Sequence, residues 1–369
     1  MKGGFFITYI CSKCGNKDKK YFAMNKDKIY CRKCLNFIGE TANKNYKCNK
    51  GKYKLDYNLT DNQRKASNFI LENIKNKNNC ALNAVCGAGK TEIIYDALEY
   101  SLNNKMKIGI AIPRKDVVIE LKERLGKDFN VKVVGVYGGN HNELEGDITI
   151  FTTHQAYRYL NYFDILIIDE IDAFPYNHND ILQGIVSKCS KVFVYMSATM
   201  PEYIEKDSKI KKYYLNRRYH NYDLPVPKVK VSFWMLFDLK RILKKYKNKV
   251  VLVYFSTIKI QNKIAKKVRY DYLINSKSEN RDILLNKIRK LNKGVILTTT
   301  VLERGITIKD VQVIVYNAEH NLFNKNTLIQ ISGRVGRNIN FYKGDIVFIC
   351  KSKNKEIKET IKTIKKYNE

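Results

Sequence analysis

The sequence predicts an α/β protein: two parallel-sheet lobes in tandem, preceded by a small four-cysteine module. Three observations predict it. Four cysteines stand in two Cys-x-x-Cys pairs within the first 55 or so residues. From Leu59 onward, short β-branched apolar runs alternate with helix-sized segments, the pattern of buried parallel strands with crossover helices. A connector holding Pro225 and Pro227 divides those runs into two series.

The N-terminal pairs are Cys11-x-x-Cys14 and Cys31-x-x-Cys34, separated by sixteen residues. This is close to the spacing of a structural four-cysteine zinc site, in which four thiolates close the tetrahedron and leave no open position. A redox dithiol is the alternative, and the segment lacks the βαβ context that it needs. Lysines and Arg32 surround the pairs, so a folded module offers an extra grip on DNA or a dock for a protein. Cys48, Cys80, Cys86, Cys189 and Cys350 are expected as small buried hydrophobes. A Lys-rich bridge over residues 43–54 reads as a linker.

Strands are expected at 107–112, 131–136, 147–151, 164–168 and 191–196, and in a second series at 250–255, 295–299, 311–316 and 345–349. The expected division is 1–55 for the module and basic linker, 56–225 for the first lobe and 226–369 for the second.

The chain has 369 residues, of which 44% are apolar and 28% charged, the balance of a soluble globular protein. No apolar run reaches the roughly 18–20 residues of a membrane span. A cytoplasmic protein is expected. Lys plus Arg is 68 against 36 for Asp plus Glu, a net charge of +32. The codon bias of an AT-rich genome would enrich Lys, but also Glu, so the excess points to a polyanionic partner.

The sequence Ala84-Val-Cys-Gly87-Ala-Gly89-Lys90-Thr91 follows an apolar run and opens a helix expected over 91–102. This is a phosphate-binding loop: glycines let backbone N–H groups close on phosphates, Lys90 reaches the β- and γ-phosphates, and the Thr91 hydroxyl ligates Mg2+. The partner signal is Asp169-Glu170 at the end of an apolar strand. Asp169 is expected to hold Mg2+, and Glu170 to position and deprotonate the attacking water. The two signals together predict an NTPase.

Around them the sequence resembles the superfamily-2 helicases. Leu59-Thr60-x-x-Gln63 is similar to the segment whose Gln reads adenine. Asp169-Glu-Ile-Asp172 resembles the DEAD-type box and Ser197-Ala-Thr199 the third motif. Ile112-Pro-Arg114 and Thr152-Thr153-His154-Gln155 fall where that family contacts a single strand. Tyr254-Phe-Ser256-Thr257, Thr298-Thr299-Thr-Val-Leu-Glu-Arg304-Gly305-Ile-Thr307 and Gln330-x-x-Gly333-Arg334-x-Gly336-Arg337 resemble the fourth, fifth and sixth motifs, in the family's order. Two strings, Asp169-Glu-Ile-Asp-Ala-Phe-Pro-Tyr176 and Arg218-Tyr-His220 followed by Leu224-Pro-Val-Pro227, resemble the late-competence ATPases of the ComFA family, as does the four-cysteine module.

The resemblance implies two RecA-like lobes with ATP between them. It makes Gln63, Gly87, Gly89, Lys90, Thr91, Asp169 and Gly305 nucleotide-binding, Glu170 the base, and Arg334 and Arg337 the arginine fingers. Arg114, Thr152, Thr153, Ser256, Thr298 and Thr299 become the strand contacts. Stacking by Tyr137, Phe174 or Tyr254 is weighed against core packing, which is the expected role of each. The implied activity is a single-stranded-DNA-dependent ATPase drawing DNA inward beneath a membrane channel, with competence partners that include a phosphoribosyltransferase-like protein of the same operon. A zinc-ribbon helicase of repair or replication restart is the alternative, and a non-catalytic nucleotide-sensing scaffold is a third reading.

Overall fold

The computed structural model describes residues 9–26, 28–279, 281–302 and 308–369. The chain opens on an antiparallel hairpin, β1 (Phe22–Asn25) and β2 (Lys28–Cys31). The first large sheet comprises β3 (Cys80–Ala84), β4 (Ile108–Ile112), β5 (Val133–Val136), β6 (Ile148–Thr152), β7 (Phe163–Ile168), β8 (Ser190–Ser197) and β9 (Lys211–Leu215), in the order β5-β6-β4-β7-β8-β3-β9. The pairs from β5 across to β3 are all parallel. The second comprises β10 (Lys228–Val231), β11 (Val250–Tyr254), β12 (Tyr272–Ile274), β13 (Gly294–Thr298), β14 (Val311–Tyr316) and β15 (Ile346–Cys350), ordered β10-β15-β14-β11-β13-β12 and parallel throughout.

Every residue of β3, β4, β6, β11, β14 and β15 is buried, which is why these strands read as unbroken apolar runs. Helices cover the sheets. In the first lobe the longer ones are α1 (Asp61–Lys75), which opens on a Thr60–Gln63 capping box, then α2 (Lys90–Ile93) with α3 (Tyr95–Asn103), α4 (Lys115–Asp128) and α5 (Asp180–Val186). Residues 91–102 are thus two helical pieces meeting at Ile94. In the second lobe, α6 (Met235–Lys245), α7 (Ile258–Ala265), α8 (Arg281–Arg289), α9 (Lys325–Ser332) and α10 (Lys355–Asn368) do the same.

The chain packs as two compact units, Met1–Asn83 with Lys90–Tyr214, and Leu215–Glu369 with the loop Ala84–Gly89. The cysteine module belongs to the first. The Lys-rich bridge is irregular but pinned to that unit. Asp147, 1% exposed, accepts hydrogen bonds from the Asn49 backbone N–H (2.7 Å) and the Tyr46 hydroxyl (3.3 Å), while the Lys54 N–H donates to the Asp128 carbonyl (2.8 Å).

Candidate nucleotide, zinc and strand sites

Three neighbouring strands deliver the nucleotide motifs to one rim of the first sheet. The phosphate-binding loop leaves β3, Ser197 ends β8, and Asp169-Glu170 follows β7, with β8 lying between the other two. The carboxyl ends of parallel strands are where α/β sheets bind ligands. Gly87 (φ +85°) and Gly89 (φ +78°) both take left-handed backbone, which glycine adopts without a Cβ penalty. Lys90 and Thr91 open the helix that follows.

Asp169 continues the strand, its N–H donating to the Ala111 carbonyl (3.0 Å), and its Oδ1 accepts from the Glu170 N–H (2.8 Å). Glu170 is held at φ +55°, an uncommon conformation for a residue with a side chain and one that gathers at functional sites. The box is tied to the third motif. The Thr199 hydroxyl donates to Asp172 Oδ2 at 2.6 Å, and Ser197 and Thr199 close a turn through the Ser197 hydroxyl. Gln63 is buried, and its side-chain oxygen accepts from the Thr60 N–H (3.0 Å) and hydroxyl (3.2 Å), which fixes its orientation at the head of α1.

Within the second unit, Arg218 emerges as a residue whose role the sequence does not announce. It is 1% exposed, and its guanidinium donates to carbonyls of Cys86 (3.1 Å), Val335 (2.8 Å) and Gly336 (2.6 Å). The phosphate-binding loop is thereby joined to the segment that holds Arg334 and Arg337. The Cys86 thiol also donates to Gln330 Oε1 at 2.9 Å, and a Cβ on Gly333 would fall 2.4 Å from that of Cys86. Burial, and then the neighbouring Arg337, hold Arg218 down to about 10. Arg334 is buried, and Arg337 is half-buried with its Nε donating to the Gly333 carbonyl (2.9 Å). Gly305 lies outside the described residues, as do Arg304 and Thr307.

The strand-contact candidates fall on matching rims of the two sheets. In the first, Thr152 ends β6, Thr153 follows, and Arg114 comes just after the adjacent β4. In the second, Thr298 ends β13, Thr299 follows, and Ser256 comes after the adjacent β11. The buried hydroxyls of Thr153 and Ser256 have no hydrogen-bond partner among the described residues, an arrangement that costs about 1–3 kcal/mol for each. Tyr254 is core, its hydroxyl donating to the Leu302 carbonyl (2.7 Å); Phe174, by contrast, is 84% exposed.

Cys11, Cys14, Cys31 and Cys34 are all buried, and their sulfur atoms lie within 4.8 Å of one another. Cys11–Cys34 and Cys14–Cys31 are 3.7 and 3.9 Å apart. A zinc tetrahedron with Zn–S bonds of about 2.3 Å has edges of about 3.8 Å, so the cluster fits that ion. Burial and the neighbouring Cys14 and Cys11 sulfurs push the Cys34 thiol well up, which a bound cation would reverse. Gly15 at φ +71° makes the first knuckle, donating to the Cys11 carbonyl at 2.8 Å. The module sits on α5 so closely that a Cβ on Gly184 would fall 2.0 Å from the Cys14 carbonyl oxygen. Arg158 braces it as well, donating to the Glu40 carbonyl (2.7 Å) and to Gln155 Oε1 (2.6 Å).

Comparison with known proteins gives the family and the fold. Residues 56–202 match the family model described as type III restriction enzyme, res subunit, and residues 235–339 match the helicase conserved C-terminal domain. The competence protein ComFA of Bacillus subtilis is 31% identical, over 98% of this chain and 86% of that protein. The competence protein ComFA of Streptococcus pneumoniae is 30% identical, over 97% and 90%. Among solved structures, Mss116p bound to ssRNA and AMP-PNP superposes with a TM-score of 0.62 at 19% identity, over 79% of this chain and 70% of that one. The Mycobacterium smegmatis helicase Lhr bound to ssDNA and AMP-PNP gives 0.59 at 14%, over 84% and 50%. These structural likenesses establish the fold of the two RecA-like lobes, ahead of which this chain carries its four-cysteine cluster.

Proposed function

Since this chain belongs to the family of the competence protein ComFA, we propose that it is an ATP-driven translocase that draws incoming single-stranded DNA into the cell during transformation. The observation that carries the reading is the shared rim of β3, β8 and β7, with the Thr199–Asp172 bond locking two of its motifs together.

In this reading Gly87 and Gly89 shape the loop around the phosphates, Lys90 pairs with the β- and γ-phosphates, and Gln63 addresses adenine. Thr91 and Asp169 hold Mg2+, which when bound neutralises phosphate charge. Glu170 orients a water and takes its proton as the oxygen bonds to the γ-phosphorus. The bond from that phosphorus to the bridging oxygen then breaks, and ADP leaves. Arg334 and Arg337 stabilise the negative charge spread over the transferring group, and supplying them from the second lobe makes turnover depend on closure. Arg114, Thr152, Thr153, Ser256, Thr298 and Thr299 hold the strand through its phosphates, without reading sequence. Zinc on the four cysteines is structural.

The protein works at the cytosolic face of the membrane, below the DNA channel and with competence partners such as the phosphoribosyltransferase-like protein. No helix among the described residues is long and apolar enough to cross a membrane itself.

The test is ATP turnover with and without single-stranded DNA, for wild type and Glu170→Gln. Wild type is expected to be stimulated by the strand, and Glu170→Gln to bind ATP yet turn over at least about a hundredfold more slowly. Full turnover by Glu170→Gln would remove the base assignment. Displacement of an end-bound protein block without duplex unwinding supports uptake, whereas efficient unwinding would favour the restart helicase.

A further inference from the structure

The second lobe carries a surface that the motifs do not account for. Strand β10 is the edge of its sheet, and just beyond it Phe233 is 85% exposed and Trp234 79% exposed. Phe237, in the first turn of α6, is 66% exposed. A soluble protein seldom leaves three neighbouring large aromatics in water without a use for them. The turn that presents them is built, since the Ser232 N–H donates to the Cys350 carbonyl (2.9 Å) and the Trp234 N–H to the Ser232 hydroxyl (3.0 Å).

Charge indicates the occupant. Lys240, Arg241 and Lys244 follow Phe237 at helical spacings of three, four and seven, placing them on its face of the helix, and all three are exposed. Between residues 228 and 249 the chain has eight Lys or Arg and a single acid, Asp238, which is buried. Exposed rings beside cations suit a polyanion with flat apolar faces, which describes unpaired nucleic acid.

Position favours that occupant over a lipid surface. Val231 pairs with Cys350, Ile349 with Tyr316, Val315 with Tyr254, and Tyr254 with Thr298. The carboxyl end of β10 therefore opens on the same rim as Ser256, Thr298 and Thr299. β10 and β11 are three strand spacings apart, about 14 Å, a distance that a few nucleotides span.

We infer that Phe233, Trp234 and Phe237 form a base-stacking platform that extends the single-strand track to the outer edge of the second lobe. The inference rests on the strand-binding reading above and adds to it a contact outside the helicase motifs. Stacking asks only for a π-face, so the platform accepts any base.

Trp234 is the single tryptophan of the chain, so its emission reports on this surface alone. The test titrates full-length protein with oligo(dT) of thirty or so nucleotides, following tryptophan emission together with the anisotropy of a labelled copy. Emission is expected to quench along the same curve as anisotropy. Phe233→Ala with Trp234→Ala is expected to weaken binding about tenfold or more, and Trp234→Phe to restore most of it, with ATP turnover in the absence of DNA unchanged. Tight binding by wild type with unmoved emission and an unweakened double variant would overturn the platform and leave the strand-binding reading standing. No binding by wild type would overturn both. A blue shift with anionic phosphatidylglycerol vesicles, with none of the oligonucleotide response, would assign the aromatics to a membrane surface instead.

Discussion

The two lobes present similar chemistry, hydroxyls at the carboxyl ends of adjacent parallel strands that the proposed reading gives to an incoming strand, yet they brace those hydroxyls in different ways. In the second lobe the support is internal. Gln261, fully buried on α7, donates to the carbonyls of Ile274 (3.1 Å) and Leu297 (2.9 Å) and accepts from Asn275 (3.0 Å), tying β12 and β13 together below Thr298. In the first lobe part of the support lies outside the sheet. Thr153 opens a 3-10 segment, Thr153–Tyr159, whose Gln155 and Arg158 are bonded to each other and, through Arg158, to the chain leaving the cysteine module. The difference teaches that metal occupancy should reach the first rim and pass the second by.

The largest effect should come from Cys14→Ser with Cys34→Ser. Because a structural zinc would supply folding energy to so small a module, wild type is expected to carry one Zn2+ per chain, and the variant to lose it and unfold the segment. DNA-independent ATP turnover should survive. Oligonucleotide affinity should fall about tenfold, and the log–log salt dependence should flatten by roughly 0.7 for each phosphate that the protein ceases to neutralise. Elemental analysis and binding at several salt concentrations check this, and unchanged affinity and slope in zinc-free protein would give the module to protein partners instead.

Gln261→Leu breaks the complementary support. Two buried carbonyls and Asn275 lose their partner, so stability measured by urea unfolding should drop by about 2–3 kcal/mol, with zinc content unaffected. Zinc loss in this variant would mean that the two supports are not separate.

Gly184→Ala drives a methyl group into the Cys14 carbonyl oxygen. Overpacking of this kind costs about 1–3 kcal/mol, and it should show as faster zinc release to a chromogenic chelator and weaker oligonucleotide binding. Release at the wild-type rate would show that the module seats elsewhere.

The smallest effects belong to the lone hydroxyls. Thr153→Val and Ser256→Ala each remove a buried oxygen that has no partner among the described residues, so stability should hold or rise by up to about 1 kcal/mol. Affinity for the oligonucleotide should nevertheless fall severalfold in both. A stabilised variant with unchanged affinity would make that hydroxyl a packing defect rather than a contact.

Much of the fold could be read in advance, and the gaps have a common cause. Each of the nine expected strands is present within a few residues; all but the edge strand β5 are central parallel strands, apolar on both faces. β1, β2, β9, β10 and β12 escape such a reading because they are hairpin or sheet-edge strands, where exposed positions such as Lys28, Lys211 and Lys228 break the apolar run. The nucleotide motifs were legible because the backbone of a phosphate loop and a carboxylate at a strand end demand particular residues at short spacing. The work of Arg218 was not, since its acceptors are main-chain carbonyls, which leave no mark on the residues that supply them. The Thr199–Asp172 bond was hidden for a related reason: both motifs were in view, but their contact is made across 27 residues of chain.

The seat of the cysteine module on the first lobe has a consequence for how such a protein can change over generations. Apart from the packing of Phe37 on Tyr157, the module meets its support through backbone atoms at several points: the Cys14 carbonyl lies against Gly184, the Glu40 carbonyl accepts from Arg158, and the Ala42 N–H donates to the Arg158 carbonyl (3.0 Å). Main-chain atoms are the same whichever residue bears them. The outward side chains of the module are therefore free to drift under selection from new partners or new DNA without unseating it. Gly184, Arg158, the Phe37–Tyr157 pair and the four cysteines carry the constraint, and a lineage that changes its partners can rewrite the rest.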